Sequence, residues 1–445
     1  MPATCGERSR IKAGSSPLQN IFLVEKEIPD QVGNDKLRRN KVTKQSLAAF
    51  LLAAAVAAFA QDSPFQFNGF VDTYHAVQTQ HPHDFTTSRT RLRAELRVDY
   101  ENAYLFASLN GIHNGILEDR TGVQLQEAYF NYQNDFVEIK AGRQIVVWGV
   151  VDGLRVTDLI SPVDYTEFMS SDYDDMRMAV DGFRIKYPGE RVNAEIVYVP
   201  VPRYFQMPMQ EENPWRPDLP EKASIDFPEG PNAKFKNGDF GTRVSFFLSN
   251  LDFSISALHT HNQSPVTVAG YDPIKDSIVI HGIHETMTMI GGDLSMPVGE
   301  FVIRAEIAEY FGEALGYASN LDYARKNTFN ALGGIDWYAG DNWTFMVQYL
   351  HKYIADYSHN LAAEKNSSEM TFRISKELLN NTLKLSLYGM FDIDNLAYYA
   401  RVSGDYSVTD QVMISLGYDH FGGKRGQLAG YDKNREIWAK AKYYF

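Results

Sequence analysis

The chain has 445 residues, with 56 acidic and 43 basic side chains and a formal net charge of −13 at pH 7. This balance argues against nucleic acid as a partner. The single cysteine, Cys5, lies near the amino terminus, so disulfides, thiol catalysis and cysteine-based zinc sites are excluded after it. Aromatic residues make up 13% of the chain, including 26 Tyr and 27 Phe. Because Tyr keeps one end polar, this composition suits a surface with an apolar body and a polar rim.

The amino-terminal region is typical of a secretory signal. Residues 36–44, KLRRNKVTK, are basic, and residues 46–60 are apolar and small, ending in Ala58-Phe59-Ala60. The apolar run of about 15 residues is short for a membrane-spanning helix, which needs roughly 20. We predict a signal peptide over residues 36–60 with cleavage after Ala60, the alternative being a buried core helix. Residues 1–35 are interpreted as a non-native extension from a start codon assigned too far upstream.

The remaining chain, residues 61–445, is dominated by alternating apolar and polar residues. In the stretch SRTRLRAELRVDY, Leu92 and Leu96 fall on one face and Arg91 and Arg93 on the other, because successive side chains of a strand point to opposite sides. A strand with one apolar and one charged face separates two different media. The pattern predicts about 18 strands, over residues 65–78, 88–100, 103–113, 122–133, 135–148, 178–187, 191–200, 239–249, 251–261, 284–296, 300–312, 326–338, 342–354, 368–376, 381–393, 396–407, 411–421 and 434–445.

The connections between these strands alternate in length. Connections after even-numbered strands are short and carry the Gly, Pro, Asn and Asp residues of tight turns. Connections after odd-numbered strands are mostly long, over residues 149–177, 201–238, 262–283, 312–325, 355–367 and 422–433. Outer-membrane barrels combine short periplasmic turns with long extracellular loops in this way. We therefore predict a single all-β domain over residues 61–445, a transmembrane antiparallel β-barrel of about 18 strands (16–18) in contact with outer-membrane lipid.

Charged residues on the polar faces are expected to line the pore, because a charge in the lipid midplane costs about 2–4 kcal/mol. They include a basic ladder on the strand over residues 88–100. One interpretation is a pore wall that favours anions. The other is a wall of salt bridges that fills the barrel, with Asp99 and Asp405 among the partners. The predicted pore-lining residues are Arg89, Arg91, Arg93, Glu95, Arg97, Arg243, Arg304, Glu306, Arg373 and Arg401.

The two longest connections are candidates for a constriction. Residues 201–238 are rich in proline and contain Trp215, and residues 149–177 carry the acidic side chains Asp172, Asp174 and Asp175. A long loop in a compact fold is usually functional or disordered. Either loop is a candidate to narrow the pore, and the alternative for residues 201–238 is a solvated surface loop.

Aromatic residues at the predicted strand ends near the short turns suit an interfacial girdle. They are Tyr100, Tyr132, Tyr187, Trp337, Trp343, Tyr406 and Tyr443. His259 and His261 have same-face spacing, but no third ligand stands out, so we expect no metal site. A Gly-x-Ser-x-Gly motif is missing from the sequence. We expect neither a cofactor nor an enzymatic activity.

The stretch KAGRQIVVWGVVDGLRVTDLISPVDYTEF resembles a signature of a proteobacterial family of outer-membrane barrels of unknown function. That family is distantly similar to phosphate-selective and alginate-export porins. The resemblance implies that Arg143 and Gln144 lie near the outer mouth and Trp148 at its lip, and porins also imply a possible homotrimer. Alternation places Arg143 on the lipid face unless a bulge at Gly142 turns it inward or it lies above the membrane. The motif residues are Gly142, Arg143, Gln144, Trp148, Gly149, Asp158, Pro162 and Asp164.

The last residues, EIWAKAKYYF, predict the strand that closes the barrel against residues 65–78. Lys440 and Lys442 face the lumen, while the alternate residues from Ile437 to Phe445 face lipid. The ending resembles the carboxy-terminal signal of outer-membrane barrels, which implies that Tyr443 and Phe445 are read by the barrel assembly machinery.

Together these features predict an outer-membrane channel of a Gram-negative cell. The expected function is passive or selective diffusion of small polar or anionic solutes through a barrel of this size. The alternative is a plugged barrel with a structural or extracellular binding role and no open pore.

Overall fold

A computed structural model describes residues 64–445 except 152, 169, 171, 172, 221, 222, 233 and 275. The predicted extension over residues 1–35 and signal peptide over residues 36–60 lie outside the described residues. Of the residues described, none form a helix long and apolar enough to span a bilayer.

Eighteen strands form one closed antiparallel barrel in which each strand pairs with the next along the wall and the last pairs with the first. The wall strands are β1 (Phe65–Gln78), β2 (Phe85–Tyr100), β3 (Ala103–Asn114), β4 (Gly122–Gln133), β5 (Glu138–Gln144), β6 (Val180–Pro188), β7 (Val192–Val199), β9 (Asp239–Leu248), β10 (Leu251–His261), β13 (Thr286–Val298), β14 (Phe301–Gly316), β15 (Tyr323–Tyr338), β16 (Trp343–Ile354), β17 (Asn366–Leu378), β18 (Leu383–Asp392), β19 (Ala397–Ser407), β20 (Val412–Gly423) and β21 (Glu436–Tyr444). The predicted fold class is confirmed.

Three more strands form a separate small sheet in the long loops. They are β8 (Ala223–Asp226), β11 (Val266–Asp272) and β12 (Ser277–Ile283). The antiparallel pair β11–β12 is joined by a parallel pairing of β8 with β12. The sequence predicts residues 201–238 and 262–283 as long connections between wall strands, which they are, but the three short strands inside them were not predicted. The short helical turns are α1 (Tyr173–Met176) and α2 (Gln427–Gly430), with 3₁₀ turns at Glu118–Arg120, Phe235–Asn237 and Asp432–Asn434.

The wall has an apolar outer face and a polar inner face. On β2 the inward Arg91 is buried, whereas the outward Leu96 is 41% exposed. Ile255, Ile307 and Leu416 are likewise exposed on other strands. Monomeric soluble proteins rarely leave so much contiguous apolar surface in water. Closure of the sheet gives the backbone N–H and C=O groups of every wall strand hydrogen-bond partners on both edges.

The barrel closes where β21 meets β1. Their register pairs Phe70 with Tyr444 and continues up to Gln78 and Glu436. Beyond β21, Phe445 exchanges two backbone hydrogen bonds of 3.0 Å with Gly69. Its ring stacks on that of Phe67 at a centroid distance of 5.7 Å. The carboxy-terminal residue is therefore part of the seam.

The largest difference in strand bounds is in β5. Alternation predicted a strand over residues 135–148, but the ladder ends at Gln144. The next residues turn into the barrel, where Val146 and Trp148 are buried. These apolar side chains pack against the inside of the barrel wall. A local sequence pattern does not reveal that this surface is there.

Candidate functional site: the barrel lumen and its inner segment

Residues 145–179, called here the inner segment, run inside the barrel between β5 and β6. Its apolar side chains Val151, Leu154, Val156 and Ile160 form one buried cluster with inward residues of the wall. Those wall residues include Val197, Leu258, Met289, Ala308, Tyr310 and Leu332. Buried apolar contact on this scale stabilises the segment by roughly 25 cal/mol per Å² of apolar area removed from water.

Glu306 on β14 fixes the first half of the inner segment. Its side chain is 2% exposed. It accepts hydrogen bonds from the backbone N–H groups of Val150 (2.8 Å), Val151 (3.1 Å) and Thr157 (3.0 Å) and from the Thr157 hydroxyl (2.9 Å). Gly149, at φ +93°, permits this approach, since a Cβ there would lie 2.6 Å from Glu306 Oε1. A carboxylate with four donors holds the chain against β14.

Asp158, a residue of the sequence motif, holds the inner segment together. Its Oδ1 accepts from the Trp148 backbone N–H at 3.0 Å, and its Oδ2 accepts from Arg177 Nη2 at 2.8 Å. Arg155 donates to the carbonyl oxygens of Asp158 and Ser161, both at 2.6 Å. Asp158 therefore joins the two ends of a folded-back segment.

The other motif residues separate into inner and outer positions. Trp148, expected at the lip, is only 1% exposed, and its indole Nε1 donates to Glu195 of β7 at 2.7 Å. Gln144 is also buried and donates to the Gly182 carbonyl at 3.1 Å. The Pro162 carbonyl accepts from the Met178 N–H at 2.8 Å, and Asp164 pairs with Arg120.

Arg143 lies on the outer face of the wall, directly opposite Asp181 of β6. Its guanidinium forms a bidentate pair with that carboxylate, at 2.9 and 2.7 Å. Gly142 has a φ of +125°, but the pairing of β5 with both neighbours continues without a shift. Simple alternation therefore describes Arg143 correctly.

The basic ladder of β2 meets the second half of the inner segment. Arg91 Nη2 donates to Asp72 Oδ2 at 2.7 Å and to Asp175 Oδ2 at 2.9 Å. Arg93 Nη1 donates to Asp175 Oδ1 at 2.9 Å. Arg89 pairs with Glu167. The inner segment thus crosses the lumen, from Glu306 on one wall to β2 on another.

The electrostatics of Asp175 follow from this position. Burial disfavours the charged carboxylate, but the guanidinium groups of Arg91 and Arg93 outweigh it and hold the pKa of Asp175 well below its usual range. The side chain therefore stays ionised, and keeps its link to β2, even at a pH where an ordinary carboxyl group begins to take up a proton.

The other predicted pore-lining residues also point inward. Arg97 pairs with Asp99, Arg243 with Asp293, Arg304 with Asp336 and Arg401 with Asp419. Glu95 accepts a long hydrogen bond of 3.4 Å from the Ser108 hydroxyl. Arg373 is exposed and stands over the Tyr388 ring, 5.5 Å from its centroid. Sequence spacing had suggested Asp99 as a partner, but Asp72, Asp175 and Asp419 were missed because alternation does not encode pairing across strands.

Five aromatic side chains, called here the aromatic cluster, pack together beside β19 and β20. They are Phe168, Trp215, Tyr399, Phe421 and Tyr431, all buried. Phe168 of the inner segment lies 4.8 Å from Tyr431 and 5.2 Å from Trp215, between ring centroids. Its φ of +43° is uncommon for a non-glycine residue, so packing holds it in place. Both long loops contribute to this cluster.

The loop over residues 200–238, called here the mouth loop, is tied to the inner segment and to the wall. Asn213 Nδ2 donates to the Thr166 carbonyl at 2.8 Å. Tyr431 OH donates to the Trp215 carbonyl at 3.2 Å, and Asn434 Nδ2 to that of Pro214 at 2.8 Å. The sequence singled out both loops, and the structure shows that they meet.

Two cavities lie near the wall that contains β1. The upper cavity, of about 820 Å³, is lined by Gln78, Asp84, Asn434 and the mouth loop. The lower cavity, of about 310 Å³, is lined by Tyr74, Ser170, Glu377, Lys384, Arg401, Asp405, Trp438 and Lys440. Gln78 and Tyr74 both belong to β1, so the two cavities lie at successive heights along this strand.

Histidine pairs do not converge on a common point. His259 bonds to the Thr288 hydroxyl, and His261 to Asp239 at 3.1 Å. Among the described residues, no three His, Cys, Asp or Glu side chains are grouped to hold a metal ion.

Comparisons with solved structures show the fold. OccK8 (OprE) of Pseudomonas aeruginosa is 5% identical, with a TM-score of 0.52 over 86% of this chain and 98% of that one. OccK11 (OpdR) of the same organism is 9% identical, with a TM-score of 0.50 over 86% and 96%. OccAB4 of Acinetobacter baumannii is 10% identical, with a TM-score of 0.50 over 86% and 97%.

Sequence comparison gives the family. No curated protein sequence matches the chain. A family model described as "Protein of unknown function (DUF1302)" matches residues 72–421, most of the barrel. The chain therefore belongs to this family of unknown function, DUF1302.

Proposed function

We infer that the protein is a porin-like outer-membrane channel for small polar or anionic solutes, with a narrow passage along the wall formed by β1 and β19 to β21. The observation that carries this proposal is the lower cavity, which lies inside the barrel and is lined by residues of β1 and of β17 to β21. The inner segment and its apolar contacts occupy another part of the lumen. An 18-stranded porin-like barrel in the outer membrane supports a non-enzymatic channel.

The lower cavity is lined by charges of both signs, Lys384, Arg401 and Lys440 against Glu377 and Asp405. Arg401 is paired with Asp419, so the two lysines are matched by the two carboxylates. This mixed polar lining supports the passage of small polar solutes, and its lysines are the type of group that favours anions in pores.

The plugged barrel remains a second candidate, because the inner segment and the aromatic cluster occupy the lumen on both sides of the axis. In that case the long loops would serve a structural or extracellular binding role. A homotrimer and recognition of Tyr443 and Phe445 by the barrel assembly machinery stay predictions.

Conductance in planar bilayers separates the two functions. We expect small, rare openings of the native protein and a severalfold larger conductance for Trp215→Ala and for Phe168→Ala, because each removes a large ring from the aromatic cluster. Trp343→Ala, on the outer face, is the matched control and leaves conductance unchanged. If both cluster variants and a deletion of residues 209–220 insert but stay silent, the channel proposal is wrong and the plugged barrel is supported.

A further inference from the structure

Five histidines lie on the outer face of the wall, towards the end that carries the long loops. They are His75 on β1, His113 on β3, His259 on β10, His351 on β16 and His420 on β20, called here the histidine ring. Each alternates with buried or half-buried inward neighbours, such as Tyr74 beside His75, Leu258 beside His259 and Leu350 beside His351. Strand alternation therefore places all five imidazoles outside the barrel.

The five positions stand eight to ten residues beyond the first residue of their strands. His259, His351 and His420 each stand about eight positions beyond the first residue of their strands, Leu251, Trp343 and Val412. At ~3.3 Å per residue and a tilt of ~40°, that is about 20 Å along the barrel axis. The apolar band of such barrels is roughly 25 Å tall. The histidine ring thus marks the border opposite the girdle that contains Trp343.

Hydroxyl groups on the same strand and on the neighbouring strand bond to these imidazoles. His75 bonds to Ser88 at 3.1 Å and to Thr73 at 2.8 Å. His420 bonds to the hydroxyls of Tyr398 (3.2 Å) and Tyr418 (3.0 Å).

His259 and His351 use only Nδ1, towards Thr288 (3.0 Å) and Ser368 (3.1 Å). No described residue is seen to bond to Nε2 of either ring. The second nitrogen of these two rings is therefore available to a group outside the protein.

Few charged side chains face the ring from neighbouring elements. Glu309 lies on the outer face of β14, two strands from His259. Asp394 accepts from the backbone N–H of Ser368, beside His351. Asp432 and Arg435, near His420, pair with each other. Protonation would therefore give this border a positive charge in a chain whose formal net charge is −13.

We propose that the histidine ring binds the phosphate groups of anionic lipids at the long-loop border of the membrane, most strongly when the imidazoles are protonated. Imidazole ordinarily ionises near pH ~6.5, and imidazolium carries two N–H donors. Phosphate oxygens accept such charge-assisted bonds. Lipid headgroups are the occupant at this level because the residues below the ring face hydrocarbon.

The test uses the full barrel in vesicles of phosphatidylcholine, with or without an equal part of phosphatidylglycerol. The melting temperature of the barrel, read from its heat-resistant gel mobility, is measured at about pH 5 and about pH 8, on either side of imidazole ionisation. We expect acidification to raise it by several degrees more with phosphatidylglycerol than without. Equal responses in the two vesicles would overturn the proposal, as would the same gain from inorganic phosphate added to phosphatidylcholine vesicles.

Variants localise the effect. Replacing all five ring histidines by Gln should abolish the lipid-dependent gain, whereas replacing the loop residues His81, His83 and His359 by Gln should leave it intact. If the fivefold variant fails to fold, the double variant His259→Gln with His351→Gln is used instead. It keeps the hydrogen bonds of His75 and His420 and should lose part of the lipid-dependent gain. A full gain in this double variant contradicts the proposal.

Discussion

At the scale of single residues, the seam of the barrel depends on a fit between Gly69 and Phe445. A Cβ on Gly69 would lie 2.3 Å from the Arg93 carbonyl oxygen and 2.7 Å from Cζ of Phe445. Only a residue without a side chain leaves room for the terminal ring, which stacks on Phe67. The last residue of the chain is therefore a structural element of closure as well as a predicted assembly signal.

Deleting Phe445 should impair assembly. The deletion removes both backbone hydrogen bonds to Gly69 and the stacking on Phe67, together about 2–3 kcal/mol at the seam. We expect a severalfold lower yield of heat-resistant barrel in the outer-membrane fraction, while secretion across the inner membrane continues. Phe445→Tyr keeps the ring and the backbone bonds and should assemble normally. Normal assembly of the deletion would show that the seam does not need this residue.

Glu306→Gln should loosen the inner segment. The amide of Gln offers one acceptor oxygen, and its NH₂ group would face N–H donors that the carboxylate now satisfies. A hydrogen bond to a charged group contributes about 1.5–3 kcal/mol, so we expect hydrogen exchange over residues 149–157 to rise about tenfold or more. Glu309→Gln, on the outer face of the same strand, serves as control. Unchanged exchange in Glu306→Gln would mean that apolar packing alone holds the segment.

At the scale of elements, the inner segment and the mouth loop are held by different forces. Apolar packing and Glu306 hold the inner segment, and Asp175 ties it to the basic ladder of β2. Besides the hydrogen bonds described above, the mouth loop is held by Tyr204, whose ring stacks on His284 at a centroid distance of 3.7 Å. His284 Nδ1 also lies 2.6 Å from the Asn262 carbonyl oxygen, as donor in the tautomer that carries the proton there.

Docking of the mouth loop should weaken in acid. Burial lowers the pKa of His284 to about 4, despite its bond to the Asn262 carbonyl. A histidine whose folded pKa is depressed contributes its full stability above the unfolded value of ~6.5, and this contribution falls as the pH drops towards about 4. We expect limited proteolysis within residues 200–238 to speed up over that window.

His284→Gln should flatten this pH dependence, because the amide does not titrate. His81→Gln, in a loop that does not contact Tyr204, should keep the native pH dependence. A native-like pH response in His284→Gln would assign the acid sensitivity to other groups.

At the scale of the whole molecule, the barrel is the frame of the proposed channel. The wall alone would enclose an aqueous channel, but the inner segment crosses it, and the proposed passage runs along β1 and β19 to β21. Selectivity of such a passage would be set by the charges of the lower cavity rather than by the complete set of inward arginines, most of which are paired.

Reversing two charges should therefore change ion selectivity. Lys384→Glu with Lys440→Glu replaces two positive charges of the lower cavity by two negative ones, and we expect the reversal potential under a salt gradient to shift towards cation selectivity. The measurement is made in the Trp215→Ala background, where conductance is largest. Lys365→Glu and Lys424→Glu, two exposed loop residues that line neither cavity, form the control pair. An unchanged reversal potential would place the passage elsewhere.

Much of the fold could be predicted from the sequence because strand alternation is local. Leu92 and Leu96 against Arg91 and Arg93 identify a two-faced wall from one short stretch, and the alternating loop lengths require an even number of antiparallel strands. The inward direction of the basic ladder follows from the same pattern. The partners Asp175 and Glu167 do not, since ion pairs between residues some 80 positions apart depend on the path of the chain between them.

The sequence by itself determined that this protein is a closed antiparallel barrel with an apolar outer face, a charged inner face and a carboxy-terminal closing strand, because period-two alternation decides which way each side chain points. Only the tertiary structure decided that residues 145–179 enter the lumen, that Trp148 is buried and that Phe168 and Trp215 meet in one cluster. A loop of apolar and charged residues is compatible with water and with a barrel interior. The interior is chosen because the folded wall supplies partners such as Glu306 and Arg91.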